Sequence, residues 1–151
     1  MKLWMLFVVG AVTAWGCYVP TLHEGQAAFK GGALRGFLCV GLAYFLTAVL
    51  VPLALLAAKV EPWDFNARGV GFSTLAGCMG ASGALCIIMA LRFGGTPLVV
   101  VPLVFGGAPV IATFVSIAWH RPSAPPQMGF WVGLVMVAVG AAMVLRFRPP
   151  A

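Results

Sequence analysis

Five apolar runs follow one another along the chain, at residues 3–22, 33–58, 69–91, 96–119 and 127–145, and none carries a charge away from its ends. Each is long enough to cross a hydrocarbon core of about 30 Å at about 1.5 Å per helical residue. Helix is the form this demands, because in lipid a backbone N–H or C=O must be satisfied within its own segment or in a closed barrel. Barrel strands alternate apolar and polar residues, and these runs do not. Composition agrees: 62 % of the 151 residues are apolar and 8 % charged, against about a quarter charged in a soluble domain. So few charges cannot coat a water-facing surface. The expectation is an all-α polytopic membrane protein, one transmembrane domain of five helices over residues 1–151 with the lipid bilayer as its solvent.

Lys2 and the apolar stretch from Leu3 to Val9 imitate the start of a signal peptide, and Val12-Thr13-Ala14 imitates a cleavage site. The run continues through Trp15 and Tyr18 to Leu22, too long and too aromatic for a removed leader, so a retained first span is expected. The net charge of +6 comes from basic residues placed singly at the ends of apolar runs, where membrane helices anchor to headgroups. Arg35, two residues inside the second run, can snorkel to the interface. This pattern argues against nucleic acid as a partner. Cys17, Cys39, Cys78 and Cys86 lie inside apolar runs with no Cys-x-x-Cys pair and no ligand spacing, and read as small buried hydrophobes. No metal or cofactor is expected. No nucleophile–base pair appears either, so an enzyme is not expected.

The connections are short. Residues 23–32 read as a polar, glycine-rich loop, 59–68 hold Glu61 and Asp64, 92–95 form a tight hairpin, and 120–126 contain Pro122, Pro125 and Pro126. None could form a domain outside the membrane. An odd number of spans puts the termini on opposite faces. Lys2, Lys59, Arg68 and Arg121 then share one face, and Lys30, Arg35, Arg92, Arg146 and Arg148 the other. The faces differ by a single basic residue, which leaves the positive-inside rule little to act on. Two readings stay open: a weakly biased protein of one orientation, and dual topology with copies inserted both ways up.

No span holds a carboxylate, Lys or His near its middle, where proton- and sodium-coupled carriers often place one. His23 and Glu24 are the nearest coupling candidates. If the first helix runs a turn beyond Leu22, Glu24 could face an internal cavity; otherwise it is a solvated loop acid. Uncharged polar groups such as Thr13, Thr21, Thr47, Ser73, Thr74 and Ser82 could line a path or hydrogen-bond neighbouring helices. Trp15 and Tyr18, about one turn apart with Gly16 between them, fit the wall of a small-molecule site near the midplane, with Tyr44 of the second span; packing or an interfacial belt is the plainer reading. The fourth span carries Pro97, Pro102 and Pro109 with Gly106-Gly107. Each internal proline removes a backbone donor, so this helix is expected to be bent or locally broken, with Pro102 and Pro109 as gating or hinge positions. Gly129, Gly133 and Gly140 mark the fifth span with the small-residue spacing that lets helices approach closely, a candidate dimer contact.

The stretch Ala90-Leu91-Arg92-Phe93-Gly94-Gly95-Thr96-Pro97-Leu98-Val99-Val100-Val101-Pro102-Leu103, followed by Ala108-Pro109-Val110, resembles the third-to-fourth-helix signature of EamA domains in the drug/metabolite transporter superfamily. Trp15-Gly16 is similar to that family's first-helix Trp-Gly, and Gly129…Gly133…Gly140 to its glycine-bearing fifth helix. Where the family often has Gly-Glu-Arg after the fourth helix, this chain reads Trp119-His120-Arg121-Pro122, without the acid. The resemblance implies an EamA-like half-transporter bundle: five helices of a ten-helix inverted repeat, completed by an antiparallel homodimer or by a second five-helix half. It further implies transport of a small polar solute by alternating access in the cell membrane, the inner membrane of a bacterium. The alternative is a non-transporting integral membrane subunit that packs in, or helps assemble, a larger membrane complex.

Overall fold

The structure is a computed structural model that describes residues 2–120 and 122–149. Arg121, counted above among the basic residues of one face, lies outside them. Among the described residues every regular element is helical: α1 (Leu3–Ala28), α2 (Ala33–Phe45), a π-helical turn (Leu46–Leu50), α3 (Val51–Ala57), α4 (Ala67–Arg92), α5 (Pro97–Trp119) and α6 (Met128–Arg146). α2, the π turn and α3 run on as one span, Ala33–Ala57. The chain thus has five helices long and apolar enough to cross a membrane, at the places the apolar runs mark. It is built as a multi-pass membrane protein.

The first span departs from expectation. It does not stop at Leu22; residues 23–28, read as loop, are helical. The stop comes where the backbone can turn left-handed. Lys30 takes φ 53° and Gly31 φ 76°, Gly31 N–H donates to the Gln26 carbonyl at 2.9 Å and Lys30 N–H to the Ala27 carbonyl at 2.8 Å. This is a Schellman cap, which satisfies carbonyls that a helix end leaves orphaned. Arg35 Nη2 adds a bond to the Phe29 carbonyl at 2.8 Å. The second span ends by the same device: Lys59 takes φ 57°, Val60 N–H reaches the Leu55 carbonyl at 3.1 Å and Lys59 N–H the Leu56 carbonyl at 3.0 Å. A lysine at such a position places its cation beside the negative end of the helix dipole. α4 starts on a side-chain cap, Asn66 Oδ1 accepting from Gly69 N–H at 2.8 Å.

The chain divides into two compact units, Met1–Gly94 and Gly95–Ala151. In the first, the packed residues lie toward one end: Val19, Leu22 and Gln26 of α1, Ala33 and Gly36 of α2, and Ala84, Ile87, Ile88 and Leu91 of α4. Gly36 lies against α1, where a Cβ would sit in ordinary contact, 3.5 Å from Gln26 Cγ. Gln26 is the one buried polar residue among the described core, and its Nε2 donates to the Ile88 carbonyl at 3.2 Å. That bond ties the C-terminal part of α1 to that of α4, so the two run parallel with α2 antiparallel beside them. Away from this end the three helices expose their side chains. Gln26→Leu should cost about 1 kcal/mol of unfolding free energy, read by denaturant titration in mild detergent; an unchanged midpoint would refute the tie.

In the second unit α5 packs along α6. A Cβ built on Gly106 would fall 2.8 Å from Ala141 Cβ and 3.6 Å from the Val137 carbonyl oxygen, so here the two helices approach too closely for a methyl. α5 is helical without interruption from Pro97 to Trp119, with Pro102 and Pro109 inside it. Of the two expected outcomes, a bend or a local break, the break is absent. A proline costs its own N–H bond and crowds one carbonyl, but in a membrane helix local adjustment and neighbouring helices can absorb both.

The four cysteines also depart from expectation. All are free and exposed on the chain, not buried in it. The first unit, which holds all four, has few buried positions, and lipid receives a thiol as readily as a protein core does.

Candidate functional site

The sequence-level candidates Trp15, Tyr18 and Tyr44 come together on one open groove between α1 and the second span. Its volume is about 330 Å³ and its wall is Ala14, Trp15, Tyr18, Val40, Ala43, Tyr44 and Thr47. Three aromatic side chains face small ones, and the small ones leave the space. Trp15 sits at the midpoint of α1, too deep for an interfacial belt. Its ring meets that of Tyr18 edge-on, with centroids 5.4 Å apart and planes at 66°, a favoured aromatic geometry. A second groove of about 430 Å³ shares Ala14, Tyr18, Val40 and Ala43 and continues toward the packed end past Cys17, Thr21, Gly25, Gly36 and Phe29. Tyr18 therefore borders both. Its hydroxyl oxygen is buried and has no hydrogen-bond partner among the described residues.

Two features of this site go beyond the sequence reading, which named Thr47 only as a group that could line a path or bond a neighbouring helix. One is the π turn at Leu46–Leu50, on the groove's flank and just before Pro52. Pro52 cannot donate to a carbonyl in the preceding turn and its ring crowds that turn; a wider turn relieves the crowding. The other is Thr47, whose Oγ1 donates to the Ala43 carbonyl at 2.8 Å. Thr13 does the same to the Val9 carbonyl at 2.9 Å. Both hydroxyls thus serve their own helix, not a neighbouring one. A threonine five residues before a proline inside an apolar run was the available signal.

The other candidates lie elsewhere. His23 is half-buried and Glu24 exposed, now within α1, and neither is among the residues lining the two grooves. Pro102 is half-buried and Pro109 exposed on α5. Gly129, Gly133 and Gly140 are exposed on α6, and a Cβ on any of them would meet nothing within 4 Å. At 100° per residue they share one helix face, opposite the face of Trp131, Leu134 and Ala141, which are partly buried. A further depression of about 340 Å³ at the start of α4 gathers Asp64, Asn66, Ser73 and Thr74, with Asn66 already committed to the helix cap.

No protein-family model matches the chain, and no curated protein or solved structure gives a significant match.

Proposed function

We propose that the chain is half of a small-solute transporter of the EamA type, acting in the cell membrane by alternating access once a second half joins it. The observation that carries this reading is the groove itself: Trp15, Tyr18 and Tyr44 from two spans on one solute-sized space in a chain otherwise shaped by lipid. The π turn beside it supports the reading, since such irregular turns recur at functional sites in helices. The sequence resemblance around residues 90–110 supplies the family. Rocking of helices packed at one end only would open and close the groove, with Pro102 and Pro109 easing the flexing of α5. The outward glycines of α6 would form the contact with the second half, because small residues let membrane helices approach closely.

Purified protein in liposomes, offered a panel of polar metabolites and cationic drugs, should show saturable flux of at least one solute. No flux for any of them, alone or with a co-encoded partner half, would end the transporter reading; a stable heteromeric complex without flux would support an assembly subunit instead. Reporters fused at the C-terminus test the partner. Two opposite populations would indicate an antiparallel homodimer, and one population a separate half.

A further inference from the structure

The chemistry of the α1–α2 groove restricts what it can hold. Among the described residues, no Asp, Glu, Lys, Arg or His lines it or its continuation. Three aromatic rings could attract a cation by their faces. Without a counter-charge, however, moving an ion from water into an apolar, lipid-facing site costs more than that attraction returns. An anion would find one hydroxyl donor and no cation, too little to offset its desolvation.

The polar atoms restrict it further. Buried polar groups are almost always hydrogen-bonded, yet the Tyr18 hydroxyl has no partner among the described residues. Thr47 has spent its proton on the Ala43 carbonyl and can only accept. The groove therefore offers one hydroxyl able to donate and accept, and one acceptor. A bare acyl chain would fill the space and leave Tyr18 unpaired. A volume of about 330 Å³ lies at the small end for ligand sites, enough for a single ring with a short substituent.

We propose that this groove binds a compact, uncharged, ring-bearing solute carrying an amide or hydroxyl group, with its ring against Trp15 and Tyr44 and its polar group on the Tyr18 hydroxyl. The proposal rests on the transporter reading and narrows it to a class of solute. Its test uses one ring in three charge states: radiolabelled nicotinamide (neutral), 1-methylnicotinamide (cation) and nicotinate (anion), in equilibrium dialysis against the full chain in mild detergent. Nicotinamide should bind saturably and about tenfold or more tighter than either ion. Tyr18→Phe, which keeps the ring and removes the hydroxyl, should weaken nicotinamide binding about three- to tenfold without lowering the melting temperature. An ion bound as tightly as nicotinamide, no saturable binding of nicotinamide, or an affinity unmoved by Tyr18→Phe would overturn the proposal. Liposome flux of the same compounds separates this from the parent reading. Binding in the expected order without flux of any solute sinks the transporter and leaves the solute class standing; flux of an ion in preference to nicotinamide does the reverse.

Discussion

Gly106→Ala should loosen α5 from α6 and lower stability by about 1–3 kcal/mol, the usual cost of overpacking a close contact. The added methyl would lie 2.8 Å from Ala141 Cβ. Ala141 cannot turn its methyl aside, because a Cβ is fixed by the backbone, so the two helix axes must part. Membrane helices are held together by packing with no hydrophobic drive between them, and a gap opened at this point weakens contacts along the rest of the pair. The reciprocal change identifies the cause. Ala141→Gly in the same chain removes the clashing atom, and the double variant should regain most of the loss. Gly107→Ala, one position along, meets nothing within 4 Å and should change stability by no more than about 0.5 kcal/mol. Thermal or denaturant unfolding in mild detergent reads all three. Equal melting of wild type and Gly106→Ala would disprove the close approach.

Trp15→Ala should cut flux about tenfold without unfolding the protein. The indole is the largest surface on the groove and holds the Tyr18 ring edge-on at 5.4 Å. Its loss removes both the contact with a bound ring and the support of Tyr18, and a loss of about 1.4 kcal/mol is a factor of ten. Trp15→Phe keeps an aromatic wall and should retain part of the flux. Trp4→Ala is the control: Trp4 lies in the same helix, exposed and away from the groove, and its loss should leave flux intact. Equal flux from Trp15→Ala and Trp4→Ala would remove the groove from the transport path. Because Trp15 is itself partly exposed, its replacement should disturb packing little, and unfolding of Trp15→Ala beside the Gly106 series in mild detergent separates a packing defect from a lost contact.

The five spans were legible because lipid imposes one requirement on every turn, and a run of apolar residues meets it whatever the neighbours do. Their ends were less so. The extension of α1 through His23, Glu24 and Gln26 depends on Gln26 finding the Ile88 carbonyl of a distant helix, and on Lys30 accepting a left-handed backbone. Neither follows from local polarity, which reads as loop. The prolines of α5 announce lost hydrogen bonds, but whether a helix breaks there depends on what surrounds it, and α5 runs unbroken through both. The aromatic trio was found by spacing, since Trp15 and Tyr18 are one turn apart. Tyr44 joins them because the second span packs beside α1. Gly106 was noticed as part of a glycine pair and taken for flexibility; its use is contact, and only the position of Ala141 reveals that. The role of Gly129, Gly133 and Gly140 would be just as invisible without a second half in place.

The scarcity of interior positions has a consequence for how this protein tolerates change. Among the described residues, eight apolar side chains and Gln26 are buried, so most residues of each span have lipid or another chain as their neighbour. A saturation survey should therefore split into two patterns. Charged replacements would be rejected almost everywhere along the spans, because the hydrocarbon refuses them. Replacements of apolar residues by larger or smaller ones would pass at most sites and fail at a sparse set: Gly36, Ala84, Ile88 and Gly106. Inherited variation in such a sequence would keep hydrophobicity nearly constant while letting side-chain identity drift, and the few sites that resist drift would trace the seams.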